Sequence, residues 1–172
     1  EVLKADGALS GDEGFIPRAL LHNSGLKTFK MRECYSPNIC LLCMTAIAES
    51  SLSSIEQLEL DFSGMDGEGT HYFSKLGRAL KSVKRFKMQN ASILVKHLSS
   101  AVAEAPNLTK LVLDSVELLS ISSDDEDLDE DDPFATSSTG PITDEMVRPF
   151  RSLQTLVMRY CEGTSNFLDQ FL

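Results

Sequence analysis

The feature that most narrows the choice of fold is a short apolar pattern, Leu-x-x-Leu-x-Leu, that returns along the chain with related apolar residues standing in for leucine. Its copies are Leu26-Phe29-Met31, Ile55-Leu58-Leu60, Val83-Phe86-Met88, Leu108-Leu111-Leu113 and Leu153-Leu156-Met158. Their first residues lie 29, 28, 25 and 45 positions apart. The last interval exceeds the others by about the length of one acidic segment with its flanks, so removing that segment restores the period. Leu3 and Ala5 fit the second and third positions of a worn sixth copy. Self-similarity at such a period marks architectures of stacked units, because one unit alone cannot bury its apolar side.

Each copy has a similar sequel. Three residues past the third apolar position stands Cys34, Ser63, Ala91, Val116 or Cys161, and two further on Met65, Ile93 and Leu118 are apolar in the middle copies. Helical spacing follows. Ile39, Leu42, Cys43, Ala46 and Ile47 recur at i, i+3, i+4, i+7 and i+8, which predicts one inward face of a helix. Thr70 is placed to cap a helix with Phe73, Leu76 and Leu80 inside. Leu94, Leu98, Ala101, Val102 and Ala105 form a third stripe, ended by Pro106, and a shorter helix from Thr143 to about Arg148 is stopped by Pro149. Short strands with polar residues between the apolar ones differ from the continuously apolar strands of a doubly wound sheet. The expected fold is α/β, a repeat solenoid with parallel strands on the concave face and helices on the convex face. It forms a single domain over 1–172, of five to six repeats, interrupted at about 120–141.

The pattern resembles the leucine-rich repeat family, Leu-x-x-Leu-x-Leu-x-x-(Asn/Cys)-x-Leu, and its copies of about 28 residues are most similar to the ribonuclease-inhibitor-like and cysteine-containing classes. Cys34 and Cys161 fall on the Asn/Cys position, whereas Ser63, Ala91 and Val116 depart from it, so the turn there should be less regular. The resemblance implies a non-catalytic protein-recognition module. It is most similar to the substrate-recognition region of F-box-type adaptors in ubiquitin ligases, inside a larger protein of the cytoplasm or nucleus. Immune-type receptors, pathogen effectors and GTPase-regulating repeat proteins are the alternatives.

Side chains alternate along a strand, so residues between the apolar ones face outward on the concave surface. Three columns result: Thr28, Gln57, Arg85, Lys110, Thr155; Lys30, Glu59, Lys87, Val112, Val157; and Arg32, Asp61, Gln89, Asp114, Arg159. Lys30, Arg32, Glu59, Asp61, Arg85, Lys87, Lys110 and Arg159 make this a mixed-charge candidate for partner binding, with Val112, Val157 and Tyr160 as its apolar centre. The competing expectation is that Lys30–Glu59–Lys87, Arg32–Asp61 and Asp114–Arg159 neutralise one another across strands, each exposed pair contributing about 0–1 kcal/mol.

Charge is unevenly placed. The chain carries 26 acids and 16 bases, a net of −10. Eight of those acids, Asp124, Asp125, Glu126, Asp127, Asp129, Glu130, Asp131 and Asp132, lie in nine consecutive positions, which leaves 18 acids against 16 bases elsewhere. No basic face for phosphate neutralisation is evident, and nucleic acid is not an expected partner. Self-repulsion is expected to keep this segment disordered, either as a solvated loop without a role or as an acidic arm that recruits a basic partner or shields part of the solenoid. Ser122 and Ser123 each have an acid three residues downstream and are candidate phosphorylation sites.

No apolar run approaches a membrane span, so no membrane partner is expected. Cys40 and Cys43 have the spacing of a zinc or redox pair, but no second pair or adjacent histidine completes a ligand set, and Cys43, on the inner stripe with Ile39, Leu42 and Ala46, reads as a buried core residue. His22, His71 and His97 stand near helices rather than beside a nucleophile, so no catalytic residue, cofactor or metal is expected. The chain opens on Glu1 and stops at Leu172 without polar capping units. Missing repeats or self-association at uncapped ends are therefore expected.

Overall fold

The computed structural model describes residues 1–6, 15–33, 37–50, 54–63, 73, 75–120, 142–163 and 165–169. Each apolar pattern becomes a strand: β1 (Val2–Asp6), β2 (Thr28–Arg32), β3 (Gln57–Asp61), β4 (Arg85–Leu94), β5 (Lys110–Leu119) and β6 (Thr155–Arg159). All pair in parallel, and their order in the sheet is their order in the chain. The worn first copy is thus a full member of the sheet, with Leu3 opposite Phe29 and Ala5 opposite Met31. Parallel neighbours need crossover connections, which are right-handed almost without exception.

Burial follows the same logic. Phe29, Leu58, Phe86 and Leu111, register partners on β2 to β5, are all at most 1% exposed, as are Met31, Leu60, Met88 and Leu113. Residues between them are half-buried or exposed, apart from Thr28. On edge strand β6 the corresponding Leu156 and Met158 are only half-buried.

A hydrogen-bond motif recurs at the head of each strand. The carbonyls of Glu1, Lys27, Glu56, Lys84 and Thr109 each accept two consecutive backbone N–H groups from the start of the next strand, at 2.8–3.2 Å. One residue before the first apolar position, polar side chains tie each turn to the one before it. Ser54 Oγ donates to the Leu26 carbonyl at 3.1 Å, Ser82 Oγ to Ile55 at 3.0 Å and Asn107 Nδ2 to Lys81 at 2.8 Å. These bonds satisfy carbonyls that a turn would otherwise leave to water.

β4 and β5 are longer than the pattern predicts. After the third outward column the backbone passes through a left-handed residue, Asn90 or Ser115, and then pairs again from Ala91–Val116 to Leu94–Leu119. Glu33 and Tyr160 occupy the same place after β2 and β6 and share the positive φ. Left-handed backbone is costly for side chains other than glycine, with asparagine the most tolerant, so its recurrence at four equivalent positions marks a bend the fold requires.

The helices are α1 (Phe15–His22), α2 (Pro37–Glu49), α3 (Leu76–Ala79), α4 (Val95–Ala103), α5 (Asp144–Val147) and α6 (Ser165–Asp169). α1, absent from the sequence reading, buries Ile16 and Leu20. The α4 stripe is as expected, and its five residues are all buried. Phe73, Leu76 and Leu80 are buried too, but the regular helix there is a single turn, and Thr70 lies outside the described residues. Pro149 does not simply end α5; it opens a 3-10 helix, Arg148–Ser152, that carries Phe150 into edge-to-face contact with Phe167 at 5.1 Å between centroids. One expectation is corrected on α2. Leu42 is 42% exposed, and Cys40 and Met44 take the inward places beside Ile39, Cys43, Ala46 and Ile47. The helix is apolar on every side between Ile39 and Met44, so spacing could not choose its inner face. No helix among the described residues is long and apolar enough to cross a membrane.

Candidate functional site

The outward face of the sheet gathers most of the singled-out residues. The observed register is Thr28, Gln57, Arg85, Lys110, Thr155 for the first column and Lys30, Glu59, Lys87, Val112, Val157 for the second. Asp61, Gln89, Asp114 and Arg159 follow in the third. Arg32 ends β2 beyond the paired positions of β2 and β3, opposite Asp6 of β1. Tyr160, past the end of β6, is 86% exposed, whereas Val112 and Val157 are half-buried. The acidic residues 124–132, Ser122, Ser123 and Cys34 lie outside the described residues.

The columns juxtapose the right strands, but the charges choose diagonal partners. Glu59 takes Lys30 at 2.6 Å, as expected, and also Arg32 at 3.5 Å. Lys87 turns to Asp114 at 3.3 Å. Asp61 does not bind Arg32. It accepts from the Ser63 backbone N–H at 3.0 Å and from Asn90 Nδ2 at 2.8 Å, bracing the turn after β3. Arg159 forms no ion pair among the described residues, so the expected Asp114–Arg159 pair is replaced by Asp114–Lys87.

These contacts set the acidities. Burial works to raise the Glu59 carboxyl, but the Lys30 hydrogen bond and the charges of Lys30, Arg32 and Lys87 outweigh it and hold the group below the usual glutamate value. Burial likewise opposes, and hydrogen bonds from Asn90 and Ser63 overcome, at Asp61, which is also lowered. At the strand heads, Glu56 lies between Lys84 at 3.0 Å and Lys27 at 3.2 Å, and these two hydrogen-bonded cations lower it. Sequence reading missed that ladder because it considered only the three columns within the strands.

Across β2 to β5 the face sinks into a depression of about 150 Å³. Lys30, Arg85, Lys87, Lys110 and Glu59 bring four cations and one carboxylate to its lining, with Gln57, Thr28 and Val112 beside them. Arg85 and Lys110 are register partners, and neither forms an ion pair among the described residues. Of the expected cross-strand pairs Lys30–Glu59 is present and Lys87 has Asp114 in place of Glu59; the expectation named no partner for Arg85 or Lys110.

A second cleft, about 460 Å³, lies between the end of α4 and the 3-10 helix, with Arg148 its one charged lining residue. His97 on α4 has a buried Nδ1 without a hydrogen-bond partner, and burial together with Lys96 lowers its pKa. No group of three or more potential metal ligands occurs among the described residues. Cys40 and Cys43 lie in the core. Comparison with family models, with curated proteins and with solved structures finds no match to the chain.

Proposed function

We propose that the chain is a leucine-rich-repeat solenoid that recognises a protein partner through the outward face of its parallel sheet and performs no catalysis of its own. The observation that carries this reading is the set of outward columns, the first two in register over β2 to β6 and the third over β3 to β6. They offer a continuous surface of alternating strands on which no described element lies. Half-buried Val112 and Val157, side by side in the second column, give the surface an apolar strip between charged residues. Protein interfaces combine such an apolar centre with a polar rim. The recurring carbonyl forks at the strand heads and the single direction of strand order support the solenoid part of the proposal.

The test is affinity capture by the full chain from cell extract, read by mass spectrometry, in three versions. These are the unchanged chain, Val112→Glu with Val157→Glu, and a control with Arg78→Glu, the exposed residue of α3. Proteins held by the first and third but not the second are the expected result. Retention of every captured protein by the double variant would remove the sheet face from the reading.

A further inference from the structure

Arg85 and Lys110 stand directly opposite each other on β4 and β5. Neighbouring strands are about 4.8 Å apart, and like charges in that relation destabilise a sheet. Nearby cations are handled differently. Lys30 and Lys87 have carboxylates at 2.6 and 3.3 Å, and Lys27 and Lys84 share Glu56. Arg85 and Lys110, without an ion pair among the described residues, sit in the depression on the outward face beside the paired Lys30 and Lys87.

We propose that this depression binds an extended acidic segment of a partner protein, whose carboxylates pair with Arg85 and Lys110 and reach toward Lys30. The proposal rests on the sheet face being the recognition surface and names the chemistry of what it recognises. Geometry argues for a peptide over a single compact anion. The cations are spread from β2 to β5, three strand spacings or about 14 Å. One phosphate could not reach both ends, whereas about five residues of extended chain would cross that distance. Glu59 within the lining would repel a concentrated charge, and Val112 offers apolar contact that a peptide can use. Charge complementarity also acts locally, because this basic patch lies in a chain of net charge −10 that would disfavour a long polyanion such as nucleic acid.

The test titrates the full chain into a fluorescein-labelled peptide of five Glu-Gly repeats, read by fluorescence anisotropy at two salt concentrations. Binding should weaken with salt. It should fall about tenfold or more in Arg85→Ala with Lys110→Ala, and stay within about threefold in Arg85→Lys with Lys110→Arg. Lys27→Ala with Lys84→Ala removes the same net charge outside the depression and should change affinity less than twofold; circular dichroism checks that all variants fold. Equal losses in the two alanine pairs would reduce the effect to overall charge and overturn the site. Tighter binding of an oligothymidylate through the same residues would replace the peptide by a nucleic acid. Peptide binding that appears only after the acids of 124–132 are changed to Asn and Gln would assign the face to the chain's own segment and overturn the partner. If no peptide binds but capture still depends on Val112 and Val157, the acidic-partner proposal fails while the sheet-face reading stands.

Discussion

Three leucines occupy the same position of the pattern, and truncating each to alanine should expose how the core is shared along the sheet. Leu58 on β3 is 1% exposed and Leu111 on β5 is 0% exposed, while Leu156 on edge strand β6 is half-buried. Leu→Ala removes three carbons, worth about 2.4 kcal/mol of transfer at about 0.8 kcal/mol per buried methylene. At Leu58 and Leu111 the neighbours are strands on both sides, so a cavity term of about 1 kcal/mol or more adds to this, for a total of about 3–4 kcal/mol. At Leu156, which keeps some solvent exposure, up to about a third of the transfer term is already forgone and solvent can fill the space, leaving about 1.6–2 kcal/mol. With a urea slope of about 2 kcal/mol/M, the midpoints of the two inner variants should fall about 1 M below that of Leu156→Ala. The chain has no tryptophan, so far-UV circular dichroism is the suitable probe. An edge variant as damaging as Leu58→Ala, or inner variants costing under about 1 kcal/mol, would refute the picture of one continuous core that thins toward β6.

Other consequences are equally direct. Gly163 has φ +69, and a Cβ there would strike the Leu118 carbonyl oxygen, so Gly163→Ala should lower stability by about 1–3 kcal/mol in urea titration. Gly77→Ala meets only the Glu104 side chain, which can swing away, and should cost clearly less in the same titration. Ser115→Gly relieves left-handed strain at φ 56 and should raise the melting temperature, whereas Asn90→Gly should gain less because asparagine already tolerates that backbone. Glu59 and Asp61 are lowered from 4.5 and 3.8 on folding. Their contribution is therefore complete above the unfolded values and lost as pH falls through the folded ones. Glu59→Gln should destabilise the chain at neutral pH and flatten the loss of stability below about pH 4.5, seen in urea midpoints at a series of pH values. On α2, Leu42→Ser should be nearly neutral and Met44→Ser destabilising by about 2–4 kcal/mol, the reverse of what the spacing at Leu42 alone implies.

All six strands were legible because alternation with a fixed period is a strong signal: Leu58 and Leu60 can face the core only if Glu59 faces outward. The outward columns followed from the same rule, and the register agrees with the first two across β2 to β6 and with the third from β3 onward, Arg32 lying past the last β2–β3 pair. α1 was not legible, since Ile16 and Leu20 are a single i,i+4 pair and too short a stripe to mark a helix face. α2 was legible as a helix but not in its rotation, because Cys40, Leu41, Leu42, Cys43 and Met44 form an unbroken apolar run and packing alone decides which of them turn inward. The second pairing segments of β4 and β5 were hidden by the left-handed residues before them. Sequence periodicity treats Ala91–Leu94 as turn and helix because the bend breaks the alternation at Asn90.

The charge pattern shows where pairing logic stops and geometry takes over. A column tells which residues are neighbours, but side-chain length and local turns decide which neighbour is chosen. Asp61 is short and already engaged by Ser63 and Asn90, so Arg32 reaches instead to Glu59, whose longer side chain also holds Lys30. Asp114 is then reached by Lys87 from the next strand, and no acid is left for the first column, whose remaining members are Thr28, Gln57 and Thr155. Among the described residues Arg85 and Lys110 consequently have no ion pair, because Glu59, Asp61 and Asp114 are committed elsewhere. Relief by an internal partner would need an acid at Gln57 or Thr155. Gln57→Glu should accordingly stabilise the isolated chain by up to about 1 kcal/mol, the ordinary value of an exposed pair, and weaken acidic-peptide binding at the same time. A gain in stability with no loss of binding would separate the two roles and show that the Arg85–Lys110 pair is merely tolerated.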